Sequence, residues 1–244
     1  MALMNSDFLA PCCTPLVQHW PLPHPQPSLR LVSTRFDPAL LHAEDFHRCA
    51  LEPVRGVAKR QAEYLAGRLC ARQALAQLSG IQATPTRGAD GAPQWPNGTL
   101  GSITHSHGWA AAVVGETSQW LGLGLDVEQI MPTERAERLA GEILTPAERV
   151  RLDAMPPEQH AERISLTFSL KESLFKALYT LVLRRFYFQD AELLSVDADN
   201  KARMRLLIDL HPDWPAGSEL EGQFAKFDGY LLSLISIAAA TARR

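Results

Sequence analysis

The feature that most constrains this 244-residue chain is the segment TFSLKESLFKALYTL, inside a run from about Glu158 to Leu183 that reads as one long helix. At about 3.6 residues per turn, Ser169, Glu172, Ser173, Lys176 and Thr180 fall on one narrow stripe. Leu166, Phe168, Leu170, Leu174, Phe175, Ala177, Leu178, Leu181 and Val182 cover the rest. An ordinary surface helix has a wider polar face. This helix must be mostly buried, with its Glu/Lys stripe lining a cleft between packed layers. Glu172 and Lys176 are four residues apart, so a helix-stabilising ion pair is an equally simple reading of the two. Lys171 falls on the apolar side, where only snorkelling or an unseen partner would accommodate it.

Around this helix the pattern occurs twice. LRLVSTRF alternates as a strand from Leu29, and residues 57–79 read as a long amphipathic helix ended by Gly80. After a loop rich in Gly and Pro (85–98), GSITHSH and WAAAVVG form a tight strand pair and WLGLGLDVE a third strand, before Met131-Pro132 breaks the chain. Thr145-Pro146-Ala147-Glu148 then starts a helix, with Thr as N-cap and Glu closing a capping box. The long helix is followed by strand candidates at 186–198, 203–210, 219–227 and 230–238. Each half thus runs from a long helix into strands that end on a small apolar one (AAAVVG, LLSLISIAAA), the mark of an internal duplication. The expected division is a Pro-rich extension over 1–28, a first α+β half over 29–130 and a second over 131–244. Six prolines between Pro11 and Pro27 predict an extended segment wrapped over a domain surface.

Charge and cysteine content narrow the function classes. With 24 Lys+Arg against 27 Asp+Glu, the formal net charge of −3 excludes a general nucleic-acid or membrane-surface protein. A local basic patch remains, with six basic residues from Arg48 to Arg72. Cys12, Cys13, Cys49 and Cys70 have neither zinc-site pairing nor the density of a secreted scaffold, and fit a reducing cytoplasm. The N-terminus has no basic region and carries Asp7 where a signal peptide would turn apolar. The apolar runs near 109–115 and 231–240 are far shorter than the ~20 residues that span a bilayer. A soluble, cytoplasmic protein is expected.

Asp126 and Glu128 stand two apart at the end of an apolar strand, so both side chains project from one face. They are either a pair of hard oxygen ligands suited to Mg²⁺ or simply a solvated strand end. His105, between Thr104 and Ser106, is either a hydrogen-bonded strand-end histidine or part of a phosphate site, and with His107 two residues on it makes only a weak zinc pair. The chain has no P-loop, G-x-G-x-x-G, G-x-S-x-G, H-E-x-x-H or H-x-x-x-D motif.

Taken in order, GSITHSH, GLGLDVE and FSLKESLFKAL resemble the three signature segments of the 4′-phosphopantetheinyl transferases. KRQAEYLAGRLCAR and the RGADGAPQWP loop further resemble the surfactin-synthetase/enterobactin-synthesis type, and the likeness spans about residues 55–185. G-x-D-x-E followed roughly 40 residues later by K-E-[AS]-x-x-K is a specific combination. The resemblance implies an α+β monomer, a pseudo-twofold duplication of two similar helix-plus-antiparallel-sheet halves, with coenzyme A bound between them. It further implies Mg²⁺-dependent transfer of the 4′-phosphopantetheine arm of coenzyme A to a serine of apo acyl or peptidyl carrier proteins, releasing 3′,5′-ADP. Fatty-acid, polyketide and siderophore synthesis all use such carriers. By motif position, Asp126, Glu128 and Glu172 look like metal ligands, Glu172 also like the general base, and Lys176 like a group for the phosphates and leaving-group charge. Asp126, Lys176, His105, Ser106, Arg87 and Arg60 look like coenzyme contacts. Many relatives place a basic residue before the proline of the Gly-x-Pro loop where this chain has Ala92, so that phosphate contact is either absent or supplied elsewhere, by Arg87 or Lys59. Glu148 matches an acidic site position in relatives, but its capping box explains it equally well. The competing classes are a non-catalytic coenzyme-A or nucleotide-binding module and another Mg²⁺-dependent phosphoryl or nucleotidyl transferase. Three converging carboxylates would count against the first.

Overall fold

The computed structural model describes residues 8–239. Asp7, the start of the Pro-rich extension and the end of the LLSLISIAAA run from Ala240 lie outside the described residues. Two compact units are present: the chain up to Trp20 together with Gln26–Ser118, and Pro21–Pro25 together with the chain from Gln119. Among the described residues no helix is long and apolar enough to cross a membrane.

The first unit contains, in chain order, β1 (Val17–Gln18), β2 (Arg30–Arg35), α1 (Ala43–Arg48), α2 (Ala58–Ser79), β3 (Thr86–Arg87), β4 (Pro93–Gln94), β5 (Thr99–Ser106) and β6 (Trp109–Glu116). Its antiparallel sheet has the order β1-β2-β6-β5, with β3–β4 a separate ladder in the Gly/Pro-rich loop. The β5–β6 turn is tight because His107 and Gly108 both take positive φ, 43° and 79°, which matches the twist of a two-residue hairpin. Helix α2 ends at Gly80 in the left-handed conformation, its N–H donating to the Ala76 carbonyl. Small buried residues, Ala62, Ala66, Ala71 and Ala74, bring α2 down on the sheet.

The Pro-rich segment does not simply wrap a surface. Ala10, Cys12 and Cys13 are buried with Phe36, Phe46, Cys49 and Leu65, and β1 pairs with β2 in the register Val17↔Ser33. Prolines hold the backbone extended but leave the small apolar side chains between them free to insert into a core. The next stretch belongs to the other unit, where the His24 N–H donates to Gln223 Oε1 at 2.9 Å.

The second unit contains β7 (Trp120–Gln129), α3 (Thr133–Ile143), α4 (Pro146–Asp153), α5 (His160–Val182), β8 (Ala191–Val196), β9 (Lys201–Leu206), β10 (Glu219–Phe227) and β11 (Tyr230–Ala238). Its sheet is antiparallel in the order β7-β11-β10-β9-β8. The strand expected to close the first half, WLGLGLDVE, therefore opens the second. It pairs with the last strand of the chain, Asp126 opposite Ser233. That partner is remote in sequence, so the local pattern could not assign the strand to its sheet.

The expected duplication is visible in topology. In each unit a strand precedes the long helix (β2, β7), and the last strand of the unit (β6, β11) lies between that strand and the penultimate one (β5, β10). Leu170, Leu174 and Leu178 of α5 are fully buried against Met204, Leu206, Leu231 and Ile235. Each buried Leu contributes about 1.5–3 kcal/mol. The polar stripe of α5 is only partly what the wheel predicts. Ser169 and Ser173 do not line a cleft but are fully buried against β11, with their hydroxyls 2.7 and 2.8 Å from Ser233 Oγ. These short side chains satisfy one another inside a helix–sheet contact.

Candidate active site

Residues 122, 124, 126 and 128 point to one face of β7. A Cβ at Gly122 would run into the Ala177 carbonyl and one at Gly124 into the Ser173 carbonyl, so the two glycines let the backbone of α5 rest directly on the strand. Asp126 is the next side chain on that face and is 4% exposed. Lys176 Nζ donates to Asp126 Oδ1 at 2.8 Å and to the Leu125 carbonyl at 3.0 Å. Both bonds reach from α5 to β7. Asp126 Oδ2 is buried with no hydrogen-bond partner. Glu172 has its carboxyl pKa pushed up by burial, against the pull of Lys176, and Asp126 raises it further. Asp126, Glu172 and Lys176 therefore form one electrostatic group. Glu128 is half-buried two residues beyond Asp126.

Among the described residues, no three His, Cys, Asp or Glu side chains come together as a metal cluster. The expected trio Asp126, Glu128 and Glu172 is thus not one convergent carboxylate cluster; two carboxylates and an ammonium stand together instead. Carboxylates repel one another, and the Lys176 ammonium offsets the charge of Asp126. A divalent cation nevertheless fits the donor set: an orphaned, buried carboxylate oxygen beside a second carboxyl is the kind of hard oxygen site Mg²⁺ takes. Beside Glu172 a cavity of about 200 Å³ is lined by Phe175, Phe186, Tyr187 and Phe188.

Lys171 and Glu148 answer each other. Lys171 is 3% exposed and does not snorkel. Its ammonium donates to Glu148 Oε2 at 2.7 Å and to the carbonyls of Ile143 at 2.8 Å and Phe188 at 2.7 Å, which uses all three donors. Burial lowers its pKa and Glu148 pulls it back up. Glu148 Oε2 also accepts the Thr145 N–H of the capping box, and Oε1 accepts the Leu193 N–H at 2.6 Å. With both oxygens engaged, Glu148 is a structural hub rather than a proton acceptor for a substrate.

The first unit carries a second constellation. A cavity of about 200 Å³ is lined by Arg60, Glu63, Tyr64 and Arg68 of α2, by Arg87 and Pro93, and by Ile103 and His105 of β5. Arg60, Tyr64 and Arg68 share a helix face through their four-residue spacing. Three sequence candidates, Arg60, Arg87 and His105, are thus brought together. Ser106 is not: it lies on the other face of β5, its Oγ 2.9 Å from His107 Nδ1. Ala92 only shapes the loop, through its N–H to Asp90 Oδ1 and its carbonyl to the Gly88 N–H. Lys59 is well exposed beside Glu63. Sequence reasoning missed Arg68, which is 4% exposed and has a buried Nη1 without a hydrogen-bond partner. Burial lowers its pKa, the Tyr64 ring 5.0 Å away supports its charge, and Arg87 opposes it. The signal was present in its eight-residue spacing from Arg60. A buried guanidinium among other cations is a site for an anion.

Comparison with known proteins gives matches in both units. Residues 53–115 match the 4′-phosphopantetheinyl transferase N-terminal domain, and residues 122–235 match the 4′-phosphopantetheinyl transferase superfamily. The chain is 35% identical to the 4′-phosphopantetheinyl transferase Svp of Streptomyces mobaraensis, over 78% of this chain and 77% of that one. It is 34% identical to the 4′-phosphopantetheinyl transferase PptT of Mycobacterium tuberculosis, over 74% and 81% of the two chains. With enterobactin synthase component D of Salmonella typhi it shares 36% identity over 75% of each. On these matches, which reach across both units, the chain belongs to the 4′-phosphopantetheinyl transferase family.

Proposed function

We propose that the chain moves the 4′-phosphopantetheine arm of coenzyme A to a serine of an apo carrier protein, using the Asp126–Glu172–Lys176 group for chemistry and the arginine-lined cavity for the nucleotide end. The observation that carries this reading is Asp126: it is buried, one oxygen is held by Lys176, and the other is left without a partner next to a carboxyl of raised pKa. A non-catalytic binding module would need the arginines but not this group.

The serine Oγ–phosphorus bond forms at the β-phosphate as the bond to the bridging oxygen breaks, and 3′,5′-ADP leaves with the negative charge. Glu172, whose pKa burial raises, is matched to taking the serine proton, directly or through water. Lys176 lies beside both carboxylates, where it can meet charge on the leaving phosphate. Asp126 would hold Mg²⁺ through Oδ2, with Glu172 as the second carboxylate; when bound, the ion would supply charge neutralisation for the pyrophosphate. The aromatic cavity beside Glu172 suits the gem-dimethyl and methylene parts of the pantetheine arm. Arg60, Arg68, Arg87 and His105 suit the phosphates of the nucleotide end, with Tyr64 as a flat face for the base. Arg68 stands in for the contact that Ala92 cannot make.

Incubation with coenzyme A, Mg²⁺ and apo carriers of fatty-acid, polyketide and siderophore type, read by intact mass, tests the reading and ranks the carriers. One phosphopantetheine per carrier serine is expected. Arg68→Ala should raise the KM for coenzyme A by roughly tenfold or more, as for a lost charge-assisted contact. Binding of coenzyme A without any carrier mass gain would move the chain to the non-catalytic class.

A further inference from the structure

The second unit has a cavity of about 240 Å³ that the proposed reaction does not use. It lies among α4, the first half of α5 and β8, and its lining combines the apolar side chains of Leu144, Leu152, Met155 and Val196 with two arginines, Arg151 and Arg163. Arg163, Thr167 and Lys171 follow one another at four-residue spacing and so share one face of α5. The Thr167 hydroxyl donates back to the Arg163 carbonyl at 2.9 Å, and the Lys171 ammonium is fully engaged by Glu148 and two carbonyls. Only the Arg163 guanidinium in that row is left over.

Every carboxylate around it already has a cation. Arg151 Nη2 donates to Glu192 Oε1 at 2.7 Å and to the Leu193 carbonyl at 2.8 Å. Glu148 also borders the cavity, but its charge is matched by Lys171 and its other oxygen accepts the Leu193 N–H. Glu162 attracts Arg163, yet its carboxylate accepts from Lys226 Nζ at 2.8 Å. Among the described residues the half-buried Arg163 guanidinium makes no hydrogen bond and no ion pair. Burial lowers its pKa and Arg151 lowers it further, but a guanidinium stays charged. The cavity therefore has one unmatched positive charge beside an apolar wall.

That combination selects an occupant. A phosphate monoester carries about 1.5 to 2 negative charges, more than Arg163 offsets, and the remainder would face Glu148 and Glu192. A carboxylate carries one and fits the planar fork of a guanidinium. The volume equals that of about eight water-sized groups, and apolar walls favour methylene groups over water there.

We infer that this cavity is a binding site for a medium-chain carboxylate, with the head group on Arg163 and the chain along Leu144, Leu152, Met155 and Val196. The site is separate from the Asp126–Glu172–Lys176 group and from the arginine-lined cavity of the first unit, and it does not depend on the function proposed for them.

The probe is octanoate, titrated by calorimetry into the full chain at about pH 7.5, where the acid is ionised. Saturable binding at one site per chain is expected. Butanoate, four methylenes shorter, should bind at least about tenfold more weakly, because it buries less apolar area. Octanol, which keeps the chain and lacks the charge, should lose about as much. This series tests the site in the parent without any substitution. Arg163→Gln should weaken octanoate by about tenfold or more, and Arg163→Lys by less, since lysine keeps the charge but not the fork. On adding octanoate, methyl NMR shifts should fall on Leu152, Met155 and Val196.

No saturable binding, equal affinity for octanol or butanoate, or shifts centred on Phe186 and Tyr187 beside Glu172 would overturn the inference. So would unchanged octanoate affinity in a folded Arg163→Gln. A raised KM for an apo carrier in Arg163→Gln, with no octanoate binding by the parent, would overturn it too and assign the unmatched charge to an acidic partner surface.

Discussion

The two units lay a long helix on an antiparallel sheet with a matching three-strand core, β2-β6-β5 and β7-β11-β10, yet they make the contact differently. In the second, α5 meets β7 backbone to backbone, because Gly122 and Gly124 remove every atom that would hold them apart. In the first, α2 is separated from its sheet by side chains, alanines at the centre and Ile103 beneath Gly67. Where backbones touch, the first side chains beyond the contact are clamped, and Asp126 and Lys176 fall there. Where side chains keep the elements apart, long arginines rim a cavity that can adjust to a ligand. On the proposed reading, the same scaffold gives a rigid place for proton transfer and an adaptable place for binding anions.

Turnover gives the largest expected effect of that division. Glu172→Gln keeps the shape and a coordinating oxygen but cannot take the serine proton, so kcat should fall by about 10²–10⁴ while calorimetric affinity for coenzyme A changes little. Arg68→Ala should do the converse. In the metal-free protein, burial holds the Glu172 pKa above its ordinary value, so an NMR pH series without Mg²⁺ should show its carboxyl ionising later than an exposed glutamate. Near-parental turnover in Glu172→Gln would end the division of labour and move the base elsewhere. It would not move to Glu148, whose oxygens are spent on Lys171 and two backbone N–H groups.

Packing gives the next effect. Gly124→Ala forces α5 off β7 and should destabilise by about 3 kcal/mol, in the overpacking range, and lower activity with it. Gly67→Ala brings a Cβ to 2.6 Å from a methyl of Ile103, which can rotate away, and it gains helix propensity. Its net cost should be at most about 1 kcal/mol. Urea unfolding of both variants checks this, and equal losses would mean that the two helix–sheet contacts are alike.

These differences were only partly legible in the sequence. Both long helices, the hairpin around His107-Gly108 and the capping box at Thr145 follow from period and local turn chemistry, which act over a few residues. The paired carboxylate positions on one face of β7 follow from alternation. The partner of β7 does not, because strand pairing is decided by the last strand of the chain. Lys171 has no account in its own helix, since its acceptors come from the end of α3, from α4 and from the segment before β8. The serines of the α5 stripe read as cleft-lining, but Ser233, remote in sequence, takes them into the core. Arg68 was readable from its spacing, whereas its burial and unpartnered nitrogen arise only when α2 meets β5 and the β3–β4 loop.

The smallest effect concerns the stability given up at the rigid site. A carboxyl whose folded pKa lies above its unfolded value binds more protons in the native state between the two values. Its contribution to stability is therefore complete below the unfolded pKa, about 4.3, and is lost as pH rises through the folded one. Glu172 is such a group. Glu172→Gln, which never ionises, should escape that loss: its Tm should exceed the parent's by roughly 1–3 °C at neutral pH, and the excess should vanish near pH 4. His105→Gln in the first unit should show no gain of this pattern. Thermal scans of the three proteins across pH test it, and a Glu172→Gln gain that persisted unchanged to pH 4 would show that repacking, rather than the buried charge, is what the wild-type site gives up for its chemistry.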